Sequence, residues 1–587
     1  MKTLLLILLA ATLHLPKDKV GTPVLAGSRI VEVNRDGGKV FGSGQRNLVP
    51  ALMQFGPGGP DALALRPVGF RSPRGMEWRG GPRGRQRHEA GLFTIVEETE
   101  ESFVIDISHY FSTYPELLSA IPPRALQGRA VSHEILDVKE TDRYLEITAR
   151  YRYVNGLEVT AACWFLFLKE NPLEAWSADP AKAGYNGVEF RRPEGGRFQI
   201  SHRWDLSGGK KIDFYVDKTF PAEWYPYIKE GIEDWNKAFE RIGLGKVISV
   251  HPEPEGLDRY SPLVNMVRYM DLEESNAKGD VLVDPRSGEI LQGDILWWKN
   301  VLDRLCDWRY VQTGAAEPVA RLEEYPMELL GPMIRYSICH EMGHVLGLSH
   351  NMGASWAYPA DSLLSPTFTR KYGTAASVMD YARFNHLATA KDIAAGVSLL
   401  PPRLGPYDYY AIALGYGDTE PEPGPYCYFA PFYSAAISPD PSAQAESLGD
   451  DLVRSSAAGV RNCRELLELD GLTEKRTGFL RLQYYRYIAL ALSNIGGTVQ
   501  GVPVDEKTRK ETLKFVFEAL DNVPTALKDE REEQRILHEL TGNFLPERIR
   551  ETCGDKSLKN YERELRRYAR KHPGLVLPDD NEWTINN

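Results

Sequence analysis

The segment from residue 339 to residue 350 constrains the chemistry of this chain more than any other feature. His340 and His344 are four residues apart, so on a helix both side chains project from one face and can reach one metal ion. Neutral imidazoles suit zinc. Gly347 can adopt the left-handed conformation that ends a helix, after which the chain can bring His350 to the same ion. Three protein ligands leave one coordination position open to water, which is typical of a catalytic zinc site.

Glu341 supplies the acid that such a site needs. It lies one position further round the predicted helix, beside the ion but outside its ligand set. A carboxylate there can take a proton from water at the metal, so we predict that Glu341 is a general base. The chain contains 12 histidines and 51 glycines among 587 residues, so a chance match to the whole pattern is expected on the order of 10⁻⁴ times. The pattern therefore favours a functional site over an accidental cluster.

A second informative element follows in residues 377–381. Met379 in a tight turn is expected to pack beneath the three histidines, and an ordinary core methionine is the alternative. Tyr381 follows two residues later. Its hydroxyl can reach either the zinc or an oxyanion that develops during the reaction, and a purely structural tyrosine is the alternative. Tyr381 is therefore the second catalytic candidate after the acid.

Taken together, these two elements resemble the metzincin clan of zinc peptidases. Longer segments resemble a family of bacterial secreted zinc-dependent metallopeptidases, whose members are often described only as domains of unknown function. The resemblance covers residues from about 200 to about 415 and extends more loosely over the N-terminal region and residues 442–451. The segments that carry it are 214–218, 231–239, 284–290, 294–298, 379–385 and 401–408.

The resemblance implies a fold and a ligand set. It implies a catalytic domain with a five-stranded mixed sheet, an active-site helix and a Met-turn, which holds Met379, below one catalytic zinc ion. It also implies a polypeptide substrate. Secreted members of the clan often carry calcium, but no run of alternating acids here forms a calcium loop, so a structural calcium ion is left open.

By the same resemblance, a strand over residues 289–298 is the sheet edge on which an extended substrate lies. An edge strand binds a peptide through main-chain hydrogen bonds, with little demand on the peptide's sequence. The expected substrate strand therefore includes Ile290, Leu291, Gln292, Gly293 and Asp294.

The distribution of residue types predicts an α+β multidomain chain with three regions. Residues 15–205 contain β-branched and aromatic runs punctuated by Gly and Pro, which predicts an N-terminal antiparallel β domain. Residues 206–415 alternate strand and helix patterns, which predicts the metzincin-like zincin catalytic domain. Residues 416–587 carry apolar residues at helical spacing and predict a helical C-terminal region. The N-terminal domain is left open as a prodomain, a substrate-binding module or a structural brace.

Residues 1–14 form a possible signal segment. A lysine at position 2 precedes an apolar run over residues 3–13, which resembles a secretory signal and is too short to span a bilayer. The alternative is a buried strand that opens the first domain. The signal interpretation predicts a secreted or periplasmic protein.

The composition of the chain limits the kinds of partner that it can bind. The chain has 81 Asp and Glu against 70 Lys and Arg, so its formal net charge is −11. A chain this acidic is a poor general binder of nucleic acid, whose phosphates are bound mostly by Lys and Arg. No other stretch approaches the roughly 18 apolar residues of a membrane helix, so we expect no membrane span. The oligomeric state is unknown from the sequence.

These features support two hypotheses about function. One is a catalytically silent zincin-fold module that binds an extracellular polypeptide or glycan. Loss of the acid at position 341 would favour that module, and Glu341 is present. The leading hypothesis is therefore a zinc-dependent metalloendopeptidase, which hydrolyses peptide bonds by zinc-activated water with Glu341 as general base.

Overall fold

The computed structural model shows three regions in chain order, namely an antiparallel sheet, a mixed α/β region and a group of helices. The structure describes residues 12–35, 38–42, 51–67, 70–71, 77–78, 91–108, 130–154, 156–191, 197–270, 275–400, 403–431, 438–469, 472–542 and 544–572.

The N-terminal region contains a ten-stranded sheet in which every pairing is antiparallel, as the sequence predicts. The strand order is β1-β9-β8-β5-β4-β2-β12-β11-β10, β3 pairs with β2, and β6 pairs separately with β7. The strands are β1 (Thr12–Pro16), β2 (Pro23–Arg35), β3 (Gly38–Gly42), β4 (Ala51–Gly59), β5 (Ala62–Pro67), β6 (Phe70–Arg71), β7 (Glu77–Trp78), β8 (Gly91–Glu98), β9 (Ser102–Asp106), β10 (Ala130–Glu140), β11 (Tyr144–Tyr153) and β12 (Leu157–Phe167).

Side-chain alternation explains how this sheet forms a core. In β11, Leu145, Ile147 and Ala149 point to the same face and are fully buried, because successive residues of a strand face opposite sides. In β1, Leu13 and Leu15 are buried in the same core. The last residues of the possible signal segment therefore lie in a strand, while residues 1–11 lie outside the described part of the chain.

The second region is built on a mixed sheet of five main strands, as expected, with one short additional strand. Strands β17, β16, β18 and β20 are parallel and adjacent in that order, and β19 lies antiparallel along the far side of β20. The short β15 pairs with the start of β20, and β13 and β14 form a separate hairpin. The strands are β13 (Gly187–Arg191), β14 (Arg197–Ser201), β15 (Arg203–Trp204), β16 (Ile212–Val216), β17 (Ile248–Pro252), β18 (Asn265–Met270), β19 (Ala277–Val283) and β20 (Glu289–Trp298).

The expected position of the substrate edge strand is wrong. β20 is an interior strand, because Ile295 pairs with Val267 of β18 on one side and with Gly279 of β19 on the other. Nearly all of β20 is buried, which is typical of a central strand. Among the described strands, β19 pairs with β20 alone and forms the edge. Of the residues expected to be exposed to substrate, four pair inside the sheet instead, namely Ile290, Gln292, Gly293 and Asp294, and Leu291 lies at an irregularity in the pairing with β19.

The N-terminal sheet packs directly on this interior strand. Arg29 of β2 donates to Asp294 Oδ2 at 2.8 Å, and Nε of Arg268 lies 3.2 Å from Asp294 Oδ1. All three side chains are at most 1% exposed. Beside this ion cluster, Trp164 of β12 shares an apolar cluster with Leu282 of β19. The two regions are therefore joined by both buried charges and apolar contacts.

Seven helices surround the mixed sheet in the described residues. The first two helices are separated by Asp234 and Trp235, and the helix that carries His340 and His344 runs over Met327–Val345. The first and fourth helices cross closely, since a Cβ on Gly231 would lie 2.7 Å from the carbonyl oxygen of Arg335. The helices are α1 (Tyr225–Glu233), α2 (Asn236–Arg241), α3 (Val301–Thr313), α4 (Met327–Val345), α5 (Pro366–Tyr372), α6 (Ala390–Ala394) and α7 (Pro406–Tyr416).

The C-terminal region is helical, as predicted, and packs against α3. Asn462 Nδ2 donates to the carbonyl oxygens of Gln312 at 2.9 Å and His386 at 3.1 Å. No helix in the described part of the chain has the length and apolar character needed to cross a membrane. The elements are α8 (Leu452–Leu467), α9 (Glu474–Ala491), β21 (Thr498–Val499), β22 (Val502–Pro503), α10 (Glu506–Asp521), α11 (Glu530–Thr541), α12 (Phe544–Cys553) and α13 (Asp555–Ala569).

Candidate active site

Three histidines converge at the C-terminal end of α4. His340 and His344 lie on the helix, and His350 follows it in a loop. One ring nitrogen from each residue lies within 4.8 Å of the other two, and the Nε2 atoms of His344 and His350 are 3.2 Å apart. The described residues contain no second group of three His, Cys, Asp or Glu side chains in such an arrangement. The structure therefore brings together the three ligands that the spacing predicts.

Backbone carbonyls orient two of these rings. The Nδ1 atom of His340 lies 2.7 Å from the carbonyl oxygen of Val378, and that of His344 lies 2.8 Å from the carbonyl oxygen of Leu348. Donation from Nδ1 leaves Nε2 with a free lone pair, which is how ligating histidines are usually held. The buried Nε2 of His340 has no hydrogen-bond partner among the described residues. Buried polar atoms are rarely left unsatisfied, so the residues present fit a zinc ion.

Burial favours the neutral form of all three imidazoles. It lowers the pKa of His340 well below the ordinary value, and the neighbouring His344 and His350 lower that pKa further. Burial also lowers the pKa of His344, and it lowers the pKa of His350 to about 3. Neutral imidazole is the form that binds a metal, so the cluster needs no deprotonation at neutral pH.

The loop that carries the third histidine depends on a glycine. Gly347 has a φ of +99°, and a Cβ there would lie 2.2 Å from the carbonyl oxygen of His202. A residue with a side chain would be strained by both the dihedral and the contact. On either side of this turn, the Asn186 amide donates to the Gly347 carbonyl at 2.7 Å, and the Ser349 amide donates to the Gly184 carbonyl at 3.1 Å. These contacts direct the chain back toward the metal site.

Glu341 lies between the histidines and the edge strand β19. The amide of Gly279 donates to Glu341 Oε2 at 2.7 Å. Burial raises the pKa of this carboxyl to about 7, while the Gly279 amide and the charge of Lys278 act in the opposite direction. A carboxylate whose pKa lies near neutrality suits proton transfer in both directions.

Met379 packs against the active-site helix, as the Met-turn resemblance implies. A Cβ on Gly343 would lie 2.3 Å from the Met379 sulfur and 2.9 Å from Cζ2 of Trp235. Gly343 lies between two of the histidines on α4. The absence of a side chain there allows Met379 to pack directly under the metal-binding turn of the helix.

Asp408 anchors the Met-turn from the side of α7. Its carboxylate accepts a hydrogen bond from Ser377 Oγ at 2.6 Å, from the Val378 amide at 2.9 Å and from the Gly405 amide at 2.8 Å. Asp408 is completely buried, and burial raises its pKa to about 7. Because Val378 also holds the His340 ring, Asp408 acts on the metal site through one intervening residue.

Tyr381 lies over two of the histidine rings. Its ring centroid is 4.7 Å from that of His350 and 5.3 Å from that of His340. Burial raises the pKa of the phenol to about 12, so the hydroxyl is protonated and can donate a hydrogen bond at neutral pH. The structure thus brings Tyr381 to the metal site, and its catalytic role stays a prediction.

Sequence reasoning missed two residues of this site. No sequence pattern marks Gly279, because its contact with Glu341 depends on which strand forms the edge of the sheet. Asp408 had one local signal, since an acid at the third position of a helix often accepts from the amide of the N-cap residue, here Gly405. That signal indicates a helix start, and only the fold shows that it also holds the Met-turn.

Comparison with known proteins identifies the site-bearing part of the chain. Residues 322–530 match the family model described as Met-zincin. The matched segment contains the three histidines, Met379 and the first helices of the C-terminal region. No curated protein and no solved structure matches the chain.

Proposed function

Because residues 322–530 are similar to the Met-zincin family and thus to the metzincin clan of zinc metallopeptidase-like proteins, we propose that the chain is a zinc-dependent metalloendopeptidase. The observation that carries the proposal is the buried carboxyl of Glu341 beside three converging neutral imidazoles. A hydrolase needs a buried acid beside its metal ligands for proton transfer, whereas a binding module has no need for one there.

The chain's own groups can supply the proton transfers. A zinc ion held by His340, His344 and His350 would polarise the scissile carbonyl and lower the pKa of the attacking water. Glu341 accepts the proton of that water and then delivers it to the leaving amine. The hydroxyl of Tyr381 donates a hydrogen bond to the substrate oxygen on which negative charge develops.

The edge strand β19 is the surface we propose for the substrate backbone. Its outer side has no strand partner among the described residues, and the amide of Gly279 faces Glu341 from this strand. A peptide aligned along β19 would therefore run past the general base. Main-chain hydrogen bonds to an edge strand favour an extended polypeptide and demand little of its sequence.

A cleavage assay tests the proposal. Zinc-loaded protein is incubated with denatured casein, with and without a chelator, beside the Glu341→Gln variant. We expect chelation to abolish cleavage, zinc to restore it, and Glu341→Gln to lower kcat/KM by about 10²–10⁴-fold, the usual contribution of a general base.

Glu328→Gln is the matched control. Glu328 is exposed in the first turn of the same helix, so its replacement should leave both cleavage and zinc content unchanged. Zinc-loaded wild-type protein that leaves a panel of denatured proteins uncut would contradict the proposal and favour the binding module.

We also propose that the chain is exported, on the basis of the apolar run in residues 3–13, of which Thr12 and Leu13 lie in β1 and would remain in the mature chain. Sequencing the N-terminus of the protein recovered from culture medium or periplasm would detect removal of the leader. Recovery from the cytoplasm alone, with the first methionine retained, would contradict export.

A further inference from the structure

A buried carboxylate from the C-terminal part of the chain lies beside the metal site. Glu446 is 5% exposed, and its Oε1 accepts from Nε and Nη2 of Arg383, both at 3.2 Å. Its Oε2 lies 2.5 Å from Nε of Arg486, which belongs to α9. One carboxylate therefore joins the segment after the Met-turn to a helix of the C-terminal region.

Both residues of the Arg383–Glu446 ion pair contact Tyr381, the first with its side chain and the second with its backbone. The guanidinium of Arg383 lies 5.3 Å from the centroid of the Tyr381 ring, within cation–π range. The Glu446 amide donates to the Tyr381 carbonyl oxygen at 3.1 Å. The same tyrosine ring packs on His340 and His350. Tyr381 is thus contacted at its backbone by the Glu446 amide and at its ring by Arg383.

Arg383 and Glu446 both have an unusual backbone conformation. In the described part of the chain, Arg383 (φ 56°) and Glu446 (φ 70°) are two of only four residues other than glycine with positive φ. Such conformations are unfavourable for residues with a side chain and persist where the surroundings impose them. Because two residues with unfavourable backbone conformations both contact Tyr381, we infer that the fold holds this tyrosine in a specific position.

We propose that Glu446 is a positioning residue for Tyr381, so that the loop that carries Glu446 and the helix α9 that carries Arg486 complete the active site. This inference rests on the proposed function, in which Tyr381 stabilises the developing oxyanion. Glu446 fixes Arg383, Arg383 fixes the Tyr381 ring, and Arg486 pairs with the second oxygen of the buried carboxylate. The family match supports the view that the histidines and the C-terminal helices form one unit, since residues 322–530 include the three histidines, Glu446 and Arg486.

A double-mutant cycle separates positioning from a general effect on stability. Glu446→Gln should lower kcat about tenfold or more with KM changed less than about twofold, because a misplaced group weakens transition-state stabilisation more than substrate binding. In the Tyr381→Phe background, Glu446→Gln should have almost no further effect on kcat. An equal loss of kcat in both backgrounds would overturn the proposal.

Two further variants keep this test decisive. Arg486 is 44% exposed, so its replacement carries little risk to folding. Arg486→Gln removes the ion pair with Glu446 Oε2 but leaves the pair with Arg383. We therefore expect kcat to fall by a smaller factor than in Glu446→Gln. Glu465→Gln is the matched control, because Glu465 is 54% exposed and pairs only weakly with Arg461 at 3.8 Å. A loss of kcat in the control that equals the loss in Glu446→Gln would also count against positioning.

A spectroscopic readout is independent of turnover. 3-Fluorotyrosine is incorporated at position 381 alone, and its ¹⁹F resonance is recorded for the intact chain. We expect the resonance to shift or broaden in Glu446→Gln and Arg486→Gln and to stay unchanged in Glu465→Gln. An unchanged resonance in the first two variants would refute positioning, whereas absence of peptide cleavage with a shifted resonance would refute only the proposed function.

Discussion

The sulfur of Met379 occupies the space where a side chain on Gly343 would lie. An added Cβ would be 2.3 Å from that sulfur and 2.9 Å from Cζ2 of Trp235. The helix that carries two metal ligands thus rests on the Met-turn with no intervening side chain.

The first prediction follows from this contact. Gly343→Ala should lower the melting temperature and weaken zinc binding, because relief of the contact must displace either Met379 or α4. The intrinsic preference of a helix for alanine, about 1 kcal/mol, is too small to offset an overpacked core contact of about 1–3 kcal/mol. Thermal unfolding and zinc titration measure both effects.

Gly478→Ala is the control for that prediction. Gly478 lies in α9 with open space where its Cβ would be, so alanine there should stabilise the protein by about 0.5–1 kcal/mol. Equal stabilisation by both substitutions would show that Gly343 and Met379 are not in tight contact.

The second prediction concerns the anchor of the Met-turn. Asp408→Asn replaces a carboxylate that accepts three hydrogen bonds by an amide that can accept at one oxygen only. Leaving buried donors unpaired costs about 1–3 kcal/mol each, so stability should fall, and zinc affinity should fall with it because Val378 holds His340. Calorimetric unfolding and zinc titration are the measurements.

A surface cap provides the comparison. Asp392 accepts from the amide and the hydroxyl of Thr389 at the exposed start of α6. Asp392→Asn should cost about 1 kcal/mol or less and leave zinc affinity unchanged. If Asp408→Asn alters zinc affinity no more than Asp392→Asn does, Asp408 has no effect on the metal site.

The third prediction is a pH dependence of stability at the contact between the N-terminal sheet and the mixed α/β region. Burial, together with the smaller effect of the charge of Asp258, raises the pKa of Glu146 from 4.5 to about 7. Between these two pH values the folded chain holds a proton that the unfolded chain releases, so the free energy of unfolding falls as pH rises. Above the folded pKa the loss is complete, and it amounts to about 3 kcal/mol at most.

Glu146→Gln removes this dependence. The variant should match the wild type near pH 5 and unfold at a higher temperature near pH 8. Glu97→Gln, on the exposed side of β8, should alter the melting temperature little at either pH. A melting temperature of Glu146→Gln that is higher by the same amount at both pH values would contradict the assignment.

The fourth prediction concerns metal removal. A ligand that binds only the folded state stabilises it by about 4 kcal/mol at a thousandfold excess over Kd, so the chelated protein should melt at a lower temperature than the zinc-loaded protein. His350→Ala should abolish most of this difference, because one of three ligands is lost. His572→Ala, which lies beyond the end of α13 in the C-terminal region, should preserve it. Zinc that stabilises His350→Ala as much as the wild type would place the ion elsewhere.

The sequence predicts those parts of the site that depend on local periodicity. His340, His344 and the turn at Gly347 follow from the geometry of one helix and its end, and their convergence with His350 needs only a short loop. The substrate edge could not be assigned in the same way. Both arms of the hairpin β19–β20 mix apolar and polar residues, and which arm lies inside the sheet is decided by the pairing of β20 with β18.

The role of Glu446 could not be predicted from the sequence either. Its contacts with Arg383 and Arg486 join three separate segments, and no local pattern marks a glutamate in a loop as the partner of two arginines. The change of composition near residue 416 also suggests a domain boundary there. The side chain of Asn462 nevertheless donates hydrogen bonds across this boundary to the carbonyl oxygens of Gln312 and His386.

The most direct test of the central claim is zinc K-edge X-ray absorption on the purified protein, with metal content measured on the same sample. The account predicts one zinc ion per chain, with three imidazole nitrogens at about 2.0–2.1 Å and one oxygen ligand from water, and loss of this signal in His340→Ala. A spectrum with sulfur ligands, or a protein that binds no stoichiometric zinc under metal-replete conditions, would contradict it.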